Sequence, residues 1–297
     1  MNLKENTLKI PGYIYRNFIA PKLYSIRDQK ILSRNLAIKN KYADKRCFIV
    51  GSGPSLANID FSKLRNEYAF VCNEFDKDPR HAMLNRKFHI ITDSAYYTEG
   101  EAEYYCEQFR NKDKTISTNT TMIINLAARP FVKKYGLFKN HPVYYVGTQG
   151  IFTDKLPFNI EFERYVPYPK NSALMCIMAA AYTGFKEIIL IGCEHGFLAK
   201  PVGALLEHSS DDYPEDLKQI DIAKSSASEA MKRFSLKKSM ATPTYENCMA
   251  SVLQLFKNYR YFYQEARKIY PGIKILNATP NSYLDVFPFV NLDDTLK

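Results

Sequence analysis

Short, uninterrupted apolar runs alternate along this chain with longer stretches of helical periodicity. Runs of this kind, rich in Val, Ile and Phe, are typical of strands buried on both faces of a parallel sheet. The predicted strands cover residues 47–50, 68–72, 88–92, 142–146, 187–191 and 273–276. Helical spacing covers residues 98–109, 121–135, 171–182 and 244–270, and a short helix or two turns fits residues 55–64. Strands that alternate with helices predict an α/β domain with a mostly parallel, Rossmann-like sheet.

The first three predicted strands each lead into a polar residue. Ser52, Asn73 and Asp93 stand at these positions. In doubly wound sheets, ligands bind in the crevice beyond the carboxyl ends of the strands. We therefore expect the three side chains to border one shared cleft.

The loop after the first strand, Gly51-Ser-Gly-Pro-Ser55, has residues suited to an anion-binding turn. It lacks the lysine and the spacing of a Walker loop and does not fit G-x-G-x-x-G, so neither standard phosphate motif applies. Its glycines allow close approach of the backbone, and Pro54 suits the first turn of a helix whose free N–H groups attract phosphate. The alternative is a purely structural turn from strand to helix.

Positive charge is concentrated at the N-terminus. Residues 1–46 hold eleven Lys and Arg against three acidic residues, which is +8 of the total net charge of +10. A nucleic-acid-binding protein would normally carry basic residues on its folded domain as well, so we expect no nucleic-acid partner. Ile14, Phe18 and Leu23 are interleaved with the basic residues, as in segments that lie on anionic membranes. The alternative is a helix packed on the domain or on a partner subunit.

The remaining composition indicates a folded cytoplasmic protein. Of 297 residues, 46% are hydrophobic and 24% are charged, which is ordinary for a globular chain. No apolar run reaches the roughly 18–20 residues that span a bilayer, and no secretory signal is visible. The six cysteines include no C-x-x-C pair and are expected to be reduced. Cys193-Glu-His195 lacks zinc-ligand spacing, so no metal site is predicted.

Four parts are predicted along the chain. Residues 1–45 form a basic amphipathic arm, and residues 46–193 form a nucleotide-binding α/β core. The charge-rich residues 194–243 form a lid-like excursion, and residues 244–297 complete the core with a helix and a strand. The sequence leaves the oligomeric state open, a homo-oligomer included.

Several motifs resemble the bacterial sialyltransferases of glycosyltransferase family 42. The matching segments are residues 48–56, 59–60, 71–75, 172–192 and 280–282. The resemblance implies the GT-A variant of the Rossmann-type fold. It also implies an inverting, metal-independent transfer, without a cofactor, of a sialic-acid-like nonulosonic acid from a CMP-linked donor. The acceptor would be a glycan or lipid-linked precursor of lipopolysaccharide or capsule, which places the enzyme peripherally at the inner face of the inner membrane.

The same resemblance implies donor-binding roles for residues at the strand ends. The first loop would approach the phosphate through Gly51, Ser52, Gly53, Pro54 and Ser55. At the next two strand ends, Asn73 and Asp93 would hold sugar or phosphate. Ser172, at a helix start, would meet the donor carboxylate, and Asn281 and Ser282 would line the nucleotide. Ser52 and Asp93 replace asparagines of the family, which leaves the identity of the donor open.

The catalytic residues cannot be carried over in the same way. The family's catalytic histidine and phosphate-stabilising tyrosines have no counterparts at the matching places. An inverting transfer needs a base within reach of the acceptor hydroxyl. The candidates are His195 and Glu194 just past a strand end, His208 in the predicted lid, and Asp93.

Two other functions fit the sequence. The Gly51–Ser55 loop, the Gly184-Phe-Lys-Glu-Ile unit and Asn277-Ala-Thr279 are similar to the 6-hydroxymethylpterin diphosphokinase-like family found in surface-polysaccharide loci. That resemblance implies Mg²⁺-dependent pyrophosphate transfer, for which Asp93 and Glu194 would face the loop. The other alternative is a non-catalytic partner that binds a nucleotide sugar within a glycan-assembly complex.

Overall fold

A computed structural model describes residues 19–100, 103–154, 158–196 and 245–296. Within them lies a seven-stranded sheet in which every pairing is parallel. The strands are β1 Arg46–Val50, β2 Tyr68–Cys72, β3 Arg86–Ile91, β4 Thr121–Asn125, β5 Val143–Val146, β6 Glu187–Ile191 and β7 Lys274–Asn277. Their order across the sheet is β5-β4-β3-β2-β1-β6-β7. The predicted Rossmann-like α/β fold is confirmed.

The helices connect these strands or flank the sheet. They are α1 Ala20–Leu32, α2 Arg80–Met83, α3 Glu103–Thr115, α4 Arg129–Tyr135, α5 Ser172–Tyr182, α6 Tyr245–Ile269 and α7 Leu292–Thr295. Several connections contain 3₁₀ turns, and such a turn is the first element after each of β1, β2, β3 and β4. The predicted helix at 55–64 is two such turns, Pro54–Asn58 and Phe61–Leu64.

Alternate residues of each strand face opposite sides of the sheet and bury three hydrophobic clusters, one on one side and two on the other. On one side Cys47, Ile49 and Phe70 pack in a cluster that contains most of α5 and the buried face of α6. On the other side Phe48 and Val50 pack against the 3₁₀ turns that follow β1. Burial on both faces explains why the strands read as continuous apolar runs.

Helix α5 is apolar all around because it lies between the sheet and α6. Every residue from Leu174 to Tyr182 is buried. Asn171 caps the helix start, its side chain accepting a hydrogen bond from the Leu174 N–H at 3.0 Å. The chain turns at Gly184, where φ is +98° and an added Cβ would lie 2.7 Å from the Cα of Asn40. The helix therefore ends where only glycine fits.

One predicted element was wrong. Residues 121–135 are not a single helix, because Thr121–Asn125 is strand β4 and only Arg129–Tyr135 is α-helical. The strand is buried between β3 and β5, and a short buried run cannot be distinguished from a helix by its periodicity. Pro130 lies in the first turn of the true helix, a position that proline favours.

The described part of the N-terminal arm contacts the domain at Asp28, which accepts a hydrogen bond from Tyr165, and is buried against it from Leu32 onward. Leu32, Asn35 and Ile38 are buried. The Asn35 amide donates hydrogen bonds to the carbonyls of Tyr145 at 2.8 Å and Phe162 at 2.7 Å. This matches the packed alternative for these residues, while residues 1–18 and nearly all of the predicted lid, with His208, lie outside the described residues.

No helix in the described ranges combines the length and apolarity needed to cross a bilayer. Five cysteines in those ranges are free thiols: Cys47, Cys72, Cys106, Cys176 and Cys193.

Candidate functional site

The strand order places a topological switch point between β1 and β6. The chain winds outward from β1 to β5 and then returns to the other side of β1 with β6. Open α/β sheets bind their ligands at such a point, outside the carboxyl ends of the strands. Here the two loops are Gly51–Ser55 after β1 and Gly192–His195 after β6.

These two loops touch through their backbones. The Gly51 N–H donates to the Ile191 carbonyl at 2.8 Å, and the Gly53 N–H donates to the Gly192 carbonyl at 2.9 Å. An added Cβ at Gly51 would lie 2.0 Å from the Gly192 oxygen. The first glycine of the loop is therefore required by contact with β6.

The Glu194 carboxylate fills the inner side of the Gly51–Ser55 loop. Its Oε1 accepts the Ser55 N–H at 2.7 Å. Its Oε2 would lie 1.5 Å from a Cβ at Gly53. Oε2 is buried and has no hydrogen-bond partner among the described residues, and the same holds for the Ser55 hydroxyl. The Ser55 N–H on the inner side of the loop thus already donates to a carboxylate of the chain itself.

The outer side of this loop faces solvent at Ser52, which is exposed. The N–H groups of Gly51, Gly53 and Ser55 are all engaged, and Pro54 has none. Within the described ranges, the Ser52 N–H is the one amide of the loop without a hydrogen-bond acceptor. A phosphate that approached the loop would therefore meet Ser52 rather than the whole turn.

The next strand end toward β5 provides a polar pair. Asn73 follows β2, and its amide donates to the Ser172 hydroxyl at 3.1 Å. Ser172 is the first residue of α5, whose amino end lies at this edge of the sheet. Both residues are half-buried, so the pair borders the crevice with hydrogen-bonding groups.

On the other side, the loop after β7 joins the β6 loop. The Ser282 hydroxyl donates to the Cys193 carbonyl at 2.6 Å, and the Thr279 hydroxyl accepts the Cys193 N–H at 3.0 Å. Asn281 is exposed with φ of +55°. Ser282 therefore supports the β6 loop, and Asn281 lies at the rim.

His195 is held in a hydrogen-bond chain at the base of the cleft. Its Nδ1 lies 3.0 Å from the Cys193 carbonyl and its Nε2 lies 2.8 Å from the Tyr259 hydroxyl. A carbonyl can only accept, so Nδ1 carries the proton and Nε2 accepts from Tyr259. Asn171 donates in turn to the Tyr259 hydroxyl at 2.9 Å. These hydrogen bonds link the β6 loop to the start of α5 and to the middle of α6.

The environment of His195 favours the neutral ring. The residue is only 9% exposed. Burial lowers its pKa, and the bond to the Cys193 carbonyl and the nearby Glu194 charge offset this only in part. Since both nitrogens are engaged, the ring as placed presents no bare lone pair to the cleft.

Three loops at this edge contain a non-glycine residue in the left-handed region. Asn73, His195 and Asn281 have φ of +52°, +55° and +55°. Asn and His tolerate this region better than most residues, and such conformations concentrate at functional sites. Asn73 directly follows β2, and His195 and Asn281 each lie four residues after the ends of β6 and β7.

Asp93 stands apart from these groups, after β3. One of its carboxylate oxygens caps the following turn by accepting the Ala95 N–H at 3.0 Å. The residue is exposed, and its charge contributes to raising the pKa of Tyr97 and Tyr168, for which burial is the largest cause. Its carboxylate therefore lies near these two tyrosines.

Asp93 and Glu194 cannot share one Mg²⁺ ion in this arrangement. They follow β3 and β6, which are separated by β2 and β1. With strands about 4.8 Å apart, the two strand ends are roughly 14 Å from each other. The residues named for a diphosphokinase site are thus not brought together, and in the described ranges no three His, Cys, Asp or Glu residues are grouped as metal ligands.

The sequence did not single out two important residues of this edge. Asn171 only begins the predicted helix 171–182, and Tyr259 lies within the predicted helix 244–270. Tyr259 is fully buried, and its hydroxyl links both residues to His195. A buried tyrosine needs a hydrogen-bond partner for its hydroxyl. The sequence does not identify that partner, because it depends on how α6 packs across the domain.

No protein-family model matches the chain, and no curated protein sequence matches it. Two solved structures are similar. The MAf glycosyltransferase from Magnetospirillum magneticum AMB-1 has a TM-score of 0.45 and 11% identity, and the match covers 89% of this chain and 38% of that one. The sialyltransferase CstII from Campylobacter jejuni, in complex with the substrate analogue cytidine-5'-monophosphate, has a TM-score of 0.37 and 19% identity over 84% and 85% of the two chains. The chain thus spans about two fifths of the first protein. The Rossmann-like assignment rests on the strand order itself.

Proposed function

We propose that this chain is a glycosyltransferase that binds a nucleotide-linked sugar at the cleft between the β1 and β6 loops. One observation carries the proposal: the loops Gly51–Ser55 and Gly192–His195 meet at the topological switch point, where α/β proteins bind such ligands. The motif resemblance of residues 48–56 and 280–282 to sialyltransferases supports a CMP-linked nonulosonic acid as donor.

The polar groups along the edge suggest how the donor lies. The N–H and hydroxyl of Ser52 are available to a phosphate oxygen. Asn73 and Ser172 would bind the sugar, and the amino end of α5 favours a negatively charged group such as a carboxylate. Asn281, on the opposite side of Ser52, would border the nucleotide. The donor would therefore extend along the carboxyl edge from β7 toward β3.

We assign the role of general base to Asp93. The acceptor hydroxyl would attack the anomeric carbon as the bond from that carbon to the phosphate oxygen breaks, and CMP would leave. Asp93 would take the hydroxyl proton, and Ser52 would bind the departing phosphate. Asp93 is exposed and retains one carboxylate oxygen outside its turn cap.

Glu194 and His195 would act by positioning. Glu194 holds the phosphate loop through Ser55, and His195 holds the β6 loop through Tyr259. His208 lies outside the described residues, and its role over a bound donor stays a prediction.

Donor binding is tested by thermal unfolding with CMP, in the presence of EDTA. A ligand at 100 times its Kd adds about 2.7 kcal/mol of stability, or a rise in Tm of roughly 5 °C for a chain of this size. No response to any cytidine nucleotide would overturn the CMP assignment. A response to ATP that requires Mg²⁺ would instead favour the diphosphokinase alternative.

The base is tested with Asp93→Asn and the matched control Asp60→Asn. Both aspartates cap a 3₁₀ turn through a side-chain oxygen, and asparagine can keep that cap. We expect Asp93→Asn to lower the rate of transfer at least about 100-fold with unchanged CMP binding. If wild type is active and the two variants transfer at equal rates, Asp93 is not the base. If wild type itself shows no transfer, the result favours a non-catalytic partner.

The sugar site is tested with Ser172→Ala against Ser62→Ala, which lies in an exposed turn. Ser172→Ala should weaken binding of the CMP-sugar about tenfold through loss of a charge-assisted hydrogen bond. Binding of CMP alone should not change. If CMP and the CMP-sugar weaken equally, Ser172 does not contact the sugar.

A further inference from the structure

A second cavity lies on the same edge of the sheet, beyond β4 and β5. We name it the β4–β5 pocket; its volume is about 420 Å³, and its lining includes Arg27, Tyr97, Arg129, Gln149, Tyr165 and Tyr168. This volume is within the usual range of small-ligand sites. The pocket opens on the carboxyl ends of the strands, as the donor cleft does.

Arg129 supplies the β4–β5 pocket with a positive charge that has no bonded partner among the described residues. It is half-buried and makes no ion pair or side-chain hydrogen bond with any described residue. Arg27, by contrast, is paired with Asp28 at 3.0 Å. Asp28 also accepts a hydrogen bond from the Tyr165 hydroxyl at 2.8 Å. Two arginines therefore face the pocket against one carboxylate that is already bound.

The positive charges of Arg27 and Arg129 both lower the pKa of the Asp28 carboxyl group. Burial raises its pKa, but the hydrogen bonds from Arg27 and Tyr165 and the charges of Arg27 and Arg129 lower it overall. The positive charge of Arg129 thus extends across the pocket. A carboxylate or phosphate ligand would find a planar guanidinium able to form two parallel hydrogen bonds.

Tyr97 and Tyr168 give the pocket an amphipathic wall. Their hydroxyls make no hydrogen bond within the described ranges, and the Gln149 side chain makes none either. Aromatic rings with a polar end suit a ligand that has both C–H faces and hydroxyl groups. A sugar ring has this character.

Asp93 connects the β4–β5 pocket to the donor cleft. It follows β3, which lies between β4 and β2, and its charge acts on both Tyr97 and Tyr168. A ligand in the pocket would thus extend a hydroxyl past Tyr97 and Tyr168 to Asp93, where this hydroxyl would meet both the residue assigned as base and the donor sugar. The two sites are about two to three strand spacings apart, roughly 10–14 Å.

We propose that the β4–β5 pocket binds the acceptor, and that this acceptor is a sugar bearing a carboxylate or phosphate group held by Arg129. The inference rests on the proposed glycosyltransferase function, since it names the second substrate of that reaction. The anionic group could belong to an acidic sugar or to a sugar phosphate, and both share the same recognition chemistry.

The test measures binding by titration calorimetry to the full chain without donor. The probes are galactose 6-phosphate, methyl β-glucuronide and the neutral methyl β-galactoside. Arg129→Gln should weaken the two anionic probes about tenfold or more and leave the neutral one unchanged. Arg65→Gln is the matched control, because Arg65 is an exposed arginine that precedes β2 and so lies near the amino ends of the strands, away from the pocket. Tyr168→Ala should weaken all three probes similarly, by about threefold to tenfold, and each variant should keep the wild-type Tm.

The outcomes separate the two proposals. Whichever anionic probe binds more tightly identifies the source of the charge. The acceptor proposal is overturned if no probe binds, if the neutral probe binds best, if Arg129→Gln behaves like Arg65→Gln, or if CMP competes with the sugars for the pocket. The sugar titrations contain no donor, so they are independent of CMP binding. If CMP binds at the β1–β6 cleft but no sugar probe binds, the acceptor proposal is wrong and the proposed function still stands.

Discussion

The carboxylate of Glu194 occupies the space beside Gly53 that any larger residue there would need. A Cβ built on Gly53 would lie 1.5 Å from Glu194 Oε2, and Glu194 Oε1 accepts the Ser55 N–H. The second glycine of the loop and a glutamate more than a hundred residues later thus form one structural unit.

We expect Gly53→Ala to destabilise the chain by about 1–3 kcal/mol, because the methyl group displaces a buried carboxylate from its hydrogen bond. Gly53 has φ of −77°, a conformation in which alanine would otherwise stabilise by about 0.4–1 kcal/mol. Urea unfolding measures the difference. In a Glu194→Ala background, the loss of unfolding free energy caused by Gly53→Ala should become smaller or change sign.

Gly272→Ala is a control. Gly272 has φ of +82° and open space around it, so this substitution measures the effect of backbone conformation alone. Additive effects of Gly53→Ala and Glu194→Ala would contradict the contact.

Tyr259→Phe should cost about 1–3 kcal/mol of unfolding free energy. The variant removes the hydroxyl that donates to His195 and accepts from Asn171, and it leaves buried polar groups without that partner. Tyr261→Phe is the matched control, because Tyr261 is also buried on the same helix. Equal stability of the two variants, measured by chemical denaturation, would show that the hydrogen-bond chain does not stabilise the fold.

Acid should destabilise the fold between about pH 6.5 and 4. Burial lowers the pKa of His81 to about 4, further lowered by the charge of Lys87 and opposed by that of Asp76. Burial also lowers the pKa of His89. A histidine whose folded-state pKa is depressed takes up a proton on unfolding, so its full contribution is present above its unfolded pKa of about 6.5 and is lost as the pH falls.

His81→Phe isolates one part of this effect. Relative to pH 8, wild type should lose about 2 kcal/mol at pH 5 through His81 alone, and the variant should lose correspondingly less. Unfolding at pH 8 reports the packing effect of the substitution separately. If the slopes of stability against pH are the same for both proteins, His81 is not buried in the neutral form.

Lys112→Met should destabilise by about 3–5 kcal/mol, because it leaves the buried carboxylate of Asp76 without its cation. Lys112 is 1% exposed and pairs with Asp76 and, at 3.3 Å, with Glu74. The double variant Lys112→Met with Asp76→Asn should recover much of the loss. Lys134→Met breaks an exposed pair with Glu99 and should cost at most about 1 kcal/mol. Similar losses for Lys112→Met and Lys134→Met would argue against a desolvated pair.

Most of the sheet could be predicted because its strands are buried on both faces. β2 and β6 match the predicted ranges 68–72 and 187–191, since apolar runs bounded by turn residues leave few alternatives. β4 was mistaken for part of a helix, because Met122, Ile123 and Ile124 continue into Leu126 and Ala128 with helix-like spacing. The boundary is set by pairing with β3 and β5, which local periodicity does not contain.

The candidate site was predictable only in its strand ends. Ser52, Asn73 and Asp93 follow β1, β2 and β3 as expected, because they are close in sequence to strands that pair consecutively. The contact of Glu194 with Ser55 depends on β6 returning beside β1, and the engagement of His195 depends on Tyr259 from α6. Both require strand order and helix packing across long sequence separations, for which no local signal exists.

The interior position of β1, between β2 and β6, has a consequence for synthesis of the chain. While residues 46–146 leave the ribosome, β1 through β5 can pair in sequence, but one side of β1 stays uncovered until residues 187–191 arrive. During that interval the nascent sheet exposes an apolar strand edge, which is prone to pairing with other chains. The vulnerability lasts for about 140 residues of translation, or roughly 7–28 s at 5–20 residues per second, so chaperone dependence during translation should exceed that of the completed protein.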